Sequence, residues 1–353
     1  MNSTPGKVDV DRIISDYNID AESTRPVKVY SASPTTKVFK VEKPELIEEL
    51  YIIDTAQGKD IACHPHIVGE TLKRLAFGAA LEAARTVEQH AGLSEIGRDS
   101  VVFENVLRAA PGYELHAAFR ELNRGRGFRD VWVRPCYERP SYRSHDEESS
   151  VRLDVIYEDF GTLPPNTEIT VLKPDTEATG RTGQKSIERI MEQCETVGST
   201  VRKVILYGFI SSSGLKAINK TAESHEIELA AFSIGSITDL AHNGYDMTLY
   251  GVDESLWRVN RRIRKLGSIT DVTTLERYLP EFVPGLDQPG DWSNRQTSVH
   301  ITKDRKEPGN IKAHLENSGK LIKSLMRISN YEPWQEEIAR SELRLLHRAL
   351  QEC

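Results

Sequence analysis

The chain has 353 residues, enough for one enlarged domain or two, and its 38% hydrophobic and 28% charged residues can build a buried core. A formal charge of -7 argues against a general nucleic-acid binder, and no apolar run is long enough to span a bilayer. Cys63, Cys136, Cys194 and Cys353 stand far apart with no CxxC pair, which excludes a disulfide framework, and the polar start from Met1 to Asp11 has no signal-peptide core, so a cytoplasmic protein with reduced thiols is expected.

Residues 1 to about 40 are rich in Ser, Thr, Pro and Asp and read as a loosely packed arm. From Pro65 the pattern turns helical, with Val68, Leu72, Leu75, Ala76, Ala79, Ala83 and Val87 on one face, where small residues permit close packing. Strand-like and helix-like segments then alternate. Strands are predicted at 101–106, 131–134, 152–157, 168–173, 201–209 and 227–234, and helices at 112–122, 182–197 and 213–223. This order implies an α/β fold, a mostly parallel sheet flanked by helices, which binds ligands at the carboxyl ends of its strands. Beyond Gly235 the alternation breaks. Residues 253–266 read as a charged helix, 281–295 as loop, and 334–350 as an amphipathic helix.

The segment EITVLKPDTEATGRTGQKS, 168–186, carries the chemistry. A strand ends at Lys173, a loop follows, and a helix opens at Thr182. Free N–H groups and the helix dipole favour an anion at such a junction. Gly180 permits close backbone approach, Thr179 and Thr182 add hydroxyl donors, and Asp175 suits the adjacent hydroxyls of a ribose. Phosphate in the loop and ribose on the acid together describe a ribose 5-phosphate site.

The run Pro174-Asp175-Thr176-Glu177-Ala178-Thr179-Gly180-Arg181-Thr182 resembles the signature that binds 5-phosphoribosyl 1-diphosphate (PRPP) in type I phosphoribosyltransferases, and is most similar to that of the uracil enzymes. Arg181 replaces a usual glycine. The segment VLRAAPG is similar to a pyrophosphate loop of the same enzymes, and FVPGLDQPGD to their uracil-binding loop. The resemblance implies a type I phosphoribosyltransferase-like sheet with a base-binding hood. It implies PRPP contacts from Arg108, Ala109, Arg139 and residues Asp175, Thr176, Glu177, Ala178, Thr179, Gly180, Arg181 and Thr182. Base contacts would come from Phe282, Val283, Gly285, Leu286 and Asp287, and catalytic roles fall to Asp175, Arg108 and Asp291. Mg²⁺ would enter as Mg–PRPP. The implied reaction joins ribose 5-phosphate to a nucleobase, uracil by default, with pyrophosphate leaving.

The expected organisation is an N-terminal extension over 1–60, a phosphoribosyltransferase-like domain over 61–300 with an insertion near 236–280 and a base loop at 281–292, and a helical extension over 301–353. Residues 137–150 would form a flap that excludes water from the activated sugar. Partners expected are PRPP, a nucleobase and a second copy of the chain in a dimer, with no membrane and no nucleic acid. Cys63-His64-Pro65-His66 reads as a helix-entry turn, since no distant partner set for a metal is evident, and the basic run from Arg258 to Lys265 as a solvated face or subunit contact. Two other readings stay open: a regulator on this fold that senses PRPP or nucleotide, and an enzyme using a different acceptor.

Overall fold

The computed structural model describes residues 8–137 and 153–353. Helix α1 (Val10–Tyr17) starts at Asp9, whose carboxylate accepts from the Arg12 amide, and stops at Asn18 in the left-handed region. Strands β1 (Thr24–Val27), β2 (Lys37–Val41) and β3 (Glu49–Asp54) follow, then α2 (Ala56–Cys63), α3 (Gly69–His90), β4 (Val101–Val106), α4 (Leu115–Leu122), β5 (Arg129–Tyr137) and β6 (Leu153–Asp159). The next units are β7 (Glu168–Pro174), α5 (Arg181–Thr196), β8 (Thr200–Ser211), α6 (Ser212–Ser224) and β9 (Glu228–Leu240). Helices α7 (Glu254–Asn260), α8 (Val272–Tyr278), α9 (Ile311–Ile328) and α10 (Pro333–Glu352) complete the chain.

One sheet organises these elements, in the order β1-β2-β3-β9-β8-β7-β4-β5-β6. Strands β3, β9, β8, β7, β4 and β5 run parallel, while β1, β2 and β6 are antiparallel at the two margins. The parallel strands read as near-continuous apolar runs because both faces are covered. Phe103, Leu172, Ile205 and Phe232 pack on the face that holds α2, α3 and α4. Val102, Val171, Val204 and Ala231 pack on the other, against Ile187, Ile190, Leu215 and Ile218 of α5 and α6. On α3 the buried stripe includes Ala76, Ala79, Ala80, Ala83 and Ala84, small side chains that bring the helix close to the sheet.

From residue 8 on, the segment expected to be a loosely packed arm is instead structured. Residues 10–17 form α1, and β1 and β2 join β3, which extends the sheet beyond β9 with Leu50 and Ile52 fully buried. Ser31, Ser33, Pro34, Thr35 and Thr36 lie in the link between β1 and β2, so composition averaged over the segment concealed the apolar residues Val38, Phe39 and Val41 of β2. The helix expected over 253–266 ends at Asn260, because Arg261 turns left-handed, and Lys265–Leu266 pairs with Gly251–Val252. No helix among the described residues is long and apolar enough to cross a membrane.

Arg295 joins the C-terminal part to the core. The residue has 0% exposure, and its guanidinium donates to the carbonyls of Ile61, His64, Ile67 and Pro289 at 3.0–3.2 Å. Its fork satisfies the end of α2, the turn into α3 and the 289 loop together. Replacement by methionine keeps the bulk but leaves buried carbonyls unpaired, so R295M should lose about 3 kcal/mol or more in urea unfolding. A loss below about 1 kcal/mol would mean that water reaches those carbonyls and that the arginine is not the fastening.

Candidate functional site

The topology locates the crevice before any side chain is considered. From β4 the chain moves outward to β5, and from β7 it moves the other way to β8 and β9. Strands β4 and β7 are neighbours, with Val101 opposite Thr170 and Phe103 opposite Leu172. Their carboxyl ends therefore form a switch point, where loops diverge and leave room for a ligand. The loop after β4 holds Arg108 and Ala109, and the loop after β7 holds residues 175–180. The two segments singled out in the sequence thus open side by side.

The β4 loop begins with a cis peptide at Leu107–Arg108 and continues into a single helical turn, Ala110–Tyr113. The Arg108 side chain is partly exposed and makes no hydrogen bond or ion pair among the described residues. Tyr113 crosses to the other loop. Its hydroxyl lies 2.5 Å from Thr176 Oγ1, and its ring stacks on Trp292 with centroids 4.3 Å apart.

The β7 loop is held by its backbone. Asp175 and Glu177 amides donate to the carbonyls of Tyr207 and Phe209, each at 2.9 Å, so pairing with β8 persists past the strand's end. Ser211, the N-cap of α6, accepts from the Gly214 amide and donates its hydroxyl to the Ala178 carbonyl. Gly180, with φ +74°, then opens α5 as its N-cap, and a Cβ there would lie 2.5 Å from the Gly214 carbonyl. Only glycine meets both demands. Thr179 and Thr182 are half-buried, while Arg181 is exposed at the first position of the helix.

The acids point elsewhere. In extended chain, residues 173, 175 and 177 share one face of the sheet. Lys173 is fully buried there, and its Nζ donates to Asp175 Oδ2 at 3.0 Å and Glu177 Oε1 at 2.6 Å. Asp175 Oδ1 accepts from the Thr176 amide. Asp175 was expected to hold the ribose hydroxyls and Glu177 to contact PRPP. Both are instead buried beneath the loop, because an ammonium without water requires anions around it. Glu104 on β4 completes the group, and its Oε2 accepts from Ser186 of α5. Lys173 entered the sequence reading only as the end of a strand, and Glu104 not at all. Two charged residues within apolar strands were the available signal.

The residues expected to form the base loop are also differently placed. Phe282, Val283 and Leu286 lie in the main core. The Gly285 amide donates to the Tyr250 carbonyl at 2.7 Å, Asp287 accepts from the Met247 amide at 2.9 Å, and Tyr331 donates to the Pro284 carbonyl. Segment 247–252, Leu325 of α9 and Tyr331 cover this loop, so its side chains are buried instead of facing a ligand. Asp291 is half-buried and caps the next turn by accepting from the Asn294 amide and side chain. The turn 241–246 does reach the phosphate loop, since a Cβ on Gly244 would sit 3.3 Å from Thr179 Cγ2. Its Tyr245 is 51% exposed, and burial of the hydroxyl, together with Tyr137 and Asp291 nearby, pushes its pKa up to about 12. Arg139 and the rest of the expected flap from 138 onward lie outside the described residues.

Neither a protein-family model nor a curated protein matches the sequence. Among solved structures, the chain is similar to an adenine phosphoribosyl transferase from Trypanosoma brucei in complex with AMP, pyrophosphate and ribose-5-phosphate. The identity is 13%, with 60% of this chain and 87% of that one covered at a TM-score of 0.33. It is similar to an adenine phosphoribosyltransferase from Leishmania donovani at 10% identity, with 53% and 84% covered and a TM-score of 0.29. An orotate phosphoribosyltransferase from Francisella tularensis matches at 12% identity, with 48% and 69% covered and a TM-score of 0.27.

The buried charges set a pH dependence. Burial raises the Glu104 carboxyl to about 7, with Lys173 opposing the shift and Asp175 adding to it. An unfolded glutamate titrates near 4.5. Between these values the native state keeps a proton that the unfolded chain has released, so stability falls as pH rises from about 4.5 to 7, by about 3 kcal/mol in all. Glu104→Gln cannot ionise, and its unfolding free energy should decline less over that window. Equal slopes for the two proteins would rule out Glu104 as the source.

Proposed function

We propose that the crevice between the β4 and β7 loops binds PRPP and that the protein transfers ribose 5-phosphate from it to a nucleobase. The observation that carries this reading is the pairing of Arg108, which has no partner among the described residues, with a glycine-opened helix start at the ends of two adjacent parallel strands. Amides of 178–182 and the hydroxyls of Thr179 and Thr182 suit the 5-phosphate. Arg181, exposed at the same helix start, adds a cation where a glycine would add none. Arg108 suits the pyrophosphate, to which a guanidinium presents two parallel donors.

In the reaction an acceptor nitrogen forms a bond to C1 as the C1–oxygen bond to pyrophosphate breaks. The nitrogen's proton passes to solvent or a nearby base. Positive charge grows on the ribose ring and negative charge on the leaving group, so positioning and charge neutralisation are the main demands. Mg²⁺ enters as part of the Mg–PRPP substrate. With Asp175 and Glu177 tied to Lys173, the ribose hydroxyls meet the backbone of 175–178 in this arrangement. Uracil is the first acceptor to try, on the strength of the sequence resemblance. The turn 241–246, which carries Tyr245 and meets Thr179 through Gly244, stands where an acceptor beside the 5-phosphate would lie.

One observation favours a second reading. Both acids of the signature are neutralised internally, which suits a protein that binds PRPP as a signal without transferring it. Incubation with Mg–PRPP and a panel of bases, following pyrophosphate release and PRPP binding, separates the two. Turnover supports the transferase, binding without turnover supports the sensor, and absence of both removes the proposal. In the transferase, Arg108→Ala should lower kcat/KM for PRPP roughly 10- to 100-fold by removing charge-assisted contacts to the leaving group. Tyr245→Ala should raise KM for the acceptor severalfold and leave PRPP binding within about twofold. An unchanged acceptor KM would place the base elsewhere.

A further inference from the structure

A second cluster of chemically capable side chains lies away from the crevice, where α10 meets the turn between α2 and α3. His64 and His66 leave that turn and converge on one carboxylate, Glu342 of α10. His64 Nδ1 is 3.0 Å from Glu342 Oε2, and His66 Nδ1 is 2.6 Å from Oε1. The Glu342 side chain is 3% exposed, whereas the two histidines keep an edge to solvent. The donor atoms of the three residues lie within 4.8 Å of one another.

We propose that His64, His66 and Glu342 form a binding site for a divalent transition metal ion, with zinc the best match. Two imidazoles and a carboxylate suit this class, and such a set binds at about 2.0–2.2 Å, so small rotations of the three side chains place them around one ion. The arrangement behind His64 supports the assignment. Its other nitrogen, Nε2, faces Glu281 Oε2 at 3.1 Å, and Glu281 is itself held by Lys59 Nζ at 2.7 Å. A carboxylate behind a histidine fixes the tautomer that frees the opposite nitrogen for a metal. Glu281 is therefore a positioning residue and not a ligand. The ion would fasten α10 to the α2–α3 turn, beside the carbonyls that Arg295 gathers. Three protein ligands leave one coordination position for water. Sequence spacing alone hid the site, because Glu342 stands 276 positions from His66.

The test uses the full chain carrying Cys353→Ser, which removes the exposed thiol, after metal is stripped with a chelator. Titration with Co²⁺ should give visible absorption bands that saturate at one equivalent, and Zn²⁺ should displace them and raise Tm. His66→Gln and Glu342→Gln should each weaken Co²⁺ binding by roughly 100-fold or more, and Glu281→Gln by roughly 10-fold. Should the ligand variants fail to fold, the ring ¹⁵N resonances of His64 and His66 in the unsubstituted chain decide, since both must move when one equivalent of Zn²⁺ is added. Absence of the cobalt bands, unmoved resonances, or ligand variants that bind like the parent would overturn the site. The cluster would then be a metal-free hydrogen-bonded clamp.

Discussion

A buried ammonium sets the geometry of the β7 loop. Lys173 has no water around it, and such a charge persists only when counter-charges surround it. Asp175 and Glu177 supply them from the same chain, two and four residues on, because extended backbone returns to the same face at those intervals. The intervening main chain is thereby drawn along β8 and delivered to the helix start at Gly180. The loop's amides are presented because its acids are retained below. A Cβ on Gly183 would lie 2.7 Å from the Glu177 carboxylate, so α5 itself rests on this charge group.

The C-terminal third explains where the arrangement departs from the sequence resemblance. The Pro/Gly-rich stretch from 282 to 287, expected from the resemblance to bind a base, is here overlaid by segment 247–252, α9 and Tyr331. Once covered, its carbonyls and amides must find partners inside the protein, and they do so with Tyr250, Met247 and Tyr331. The neighbouring turn at 241–246 stays beside the β7 loop, with Gly244 close to Thr179. The same helices bring Glu342 to His64 and His66, so a single addition to the fold closes one surface and assembles another.

Much of the central sheet was legible because its signals are local. The strands over 101–106, 168–174 and 200–211 are runs of apolar residues, and the helices between them repeat apolar positions every three or four residues. The N-terminal strands were not legible. They are short, they carry polar turn residues between them, and β3 pairs with β9 across 181 positions, as Glu49 opposite Ala230 shows. Arg108 and Gly180 could be singled out because each sits next to a strand end within its own motif. Tyr113, Trp292 and Tyr245 could not, because each reaches the crevice from a different element.

Local pattern by itself determined the alternating α/β architecture, the Gly180 turn and the cation at Arg108, since each depends on a few consecutive residues and the backbone states they allow. Tertiary structure alone decided which side chains face the crevice. That choice rests on burial, and burial depends on what covers a segment. Lys173 turned the acids inward, and the C-terminal helices covered the stretch from Phe282 to Asp287.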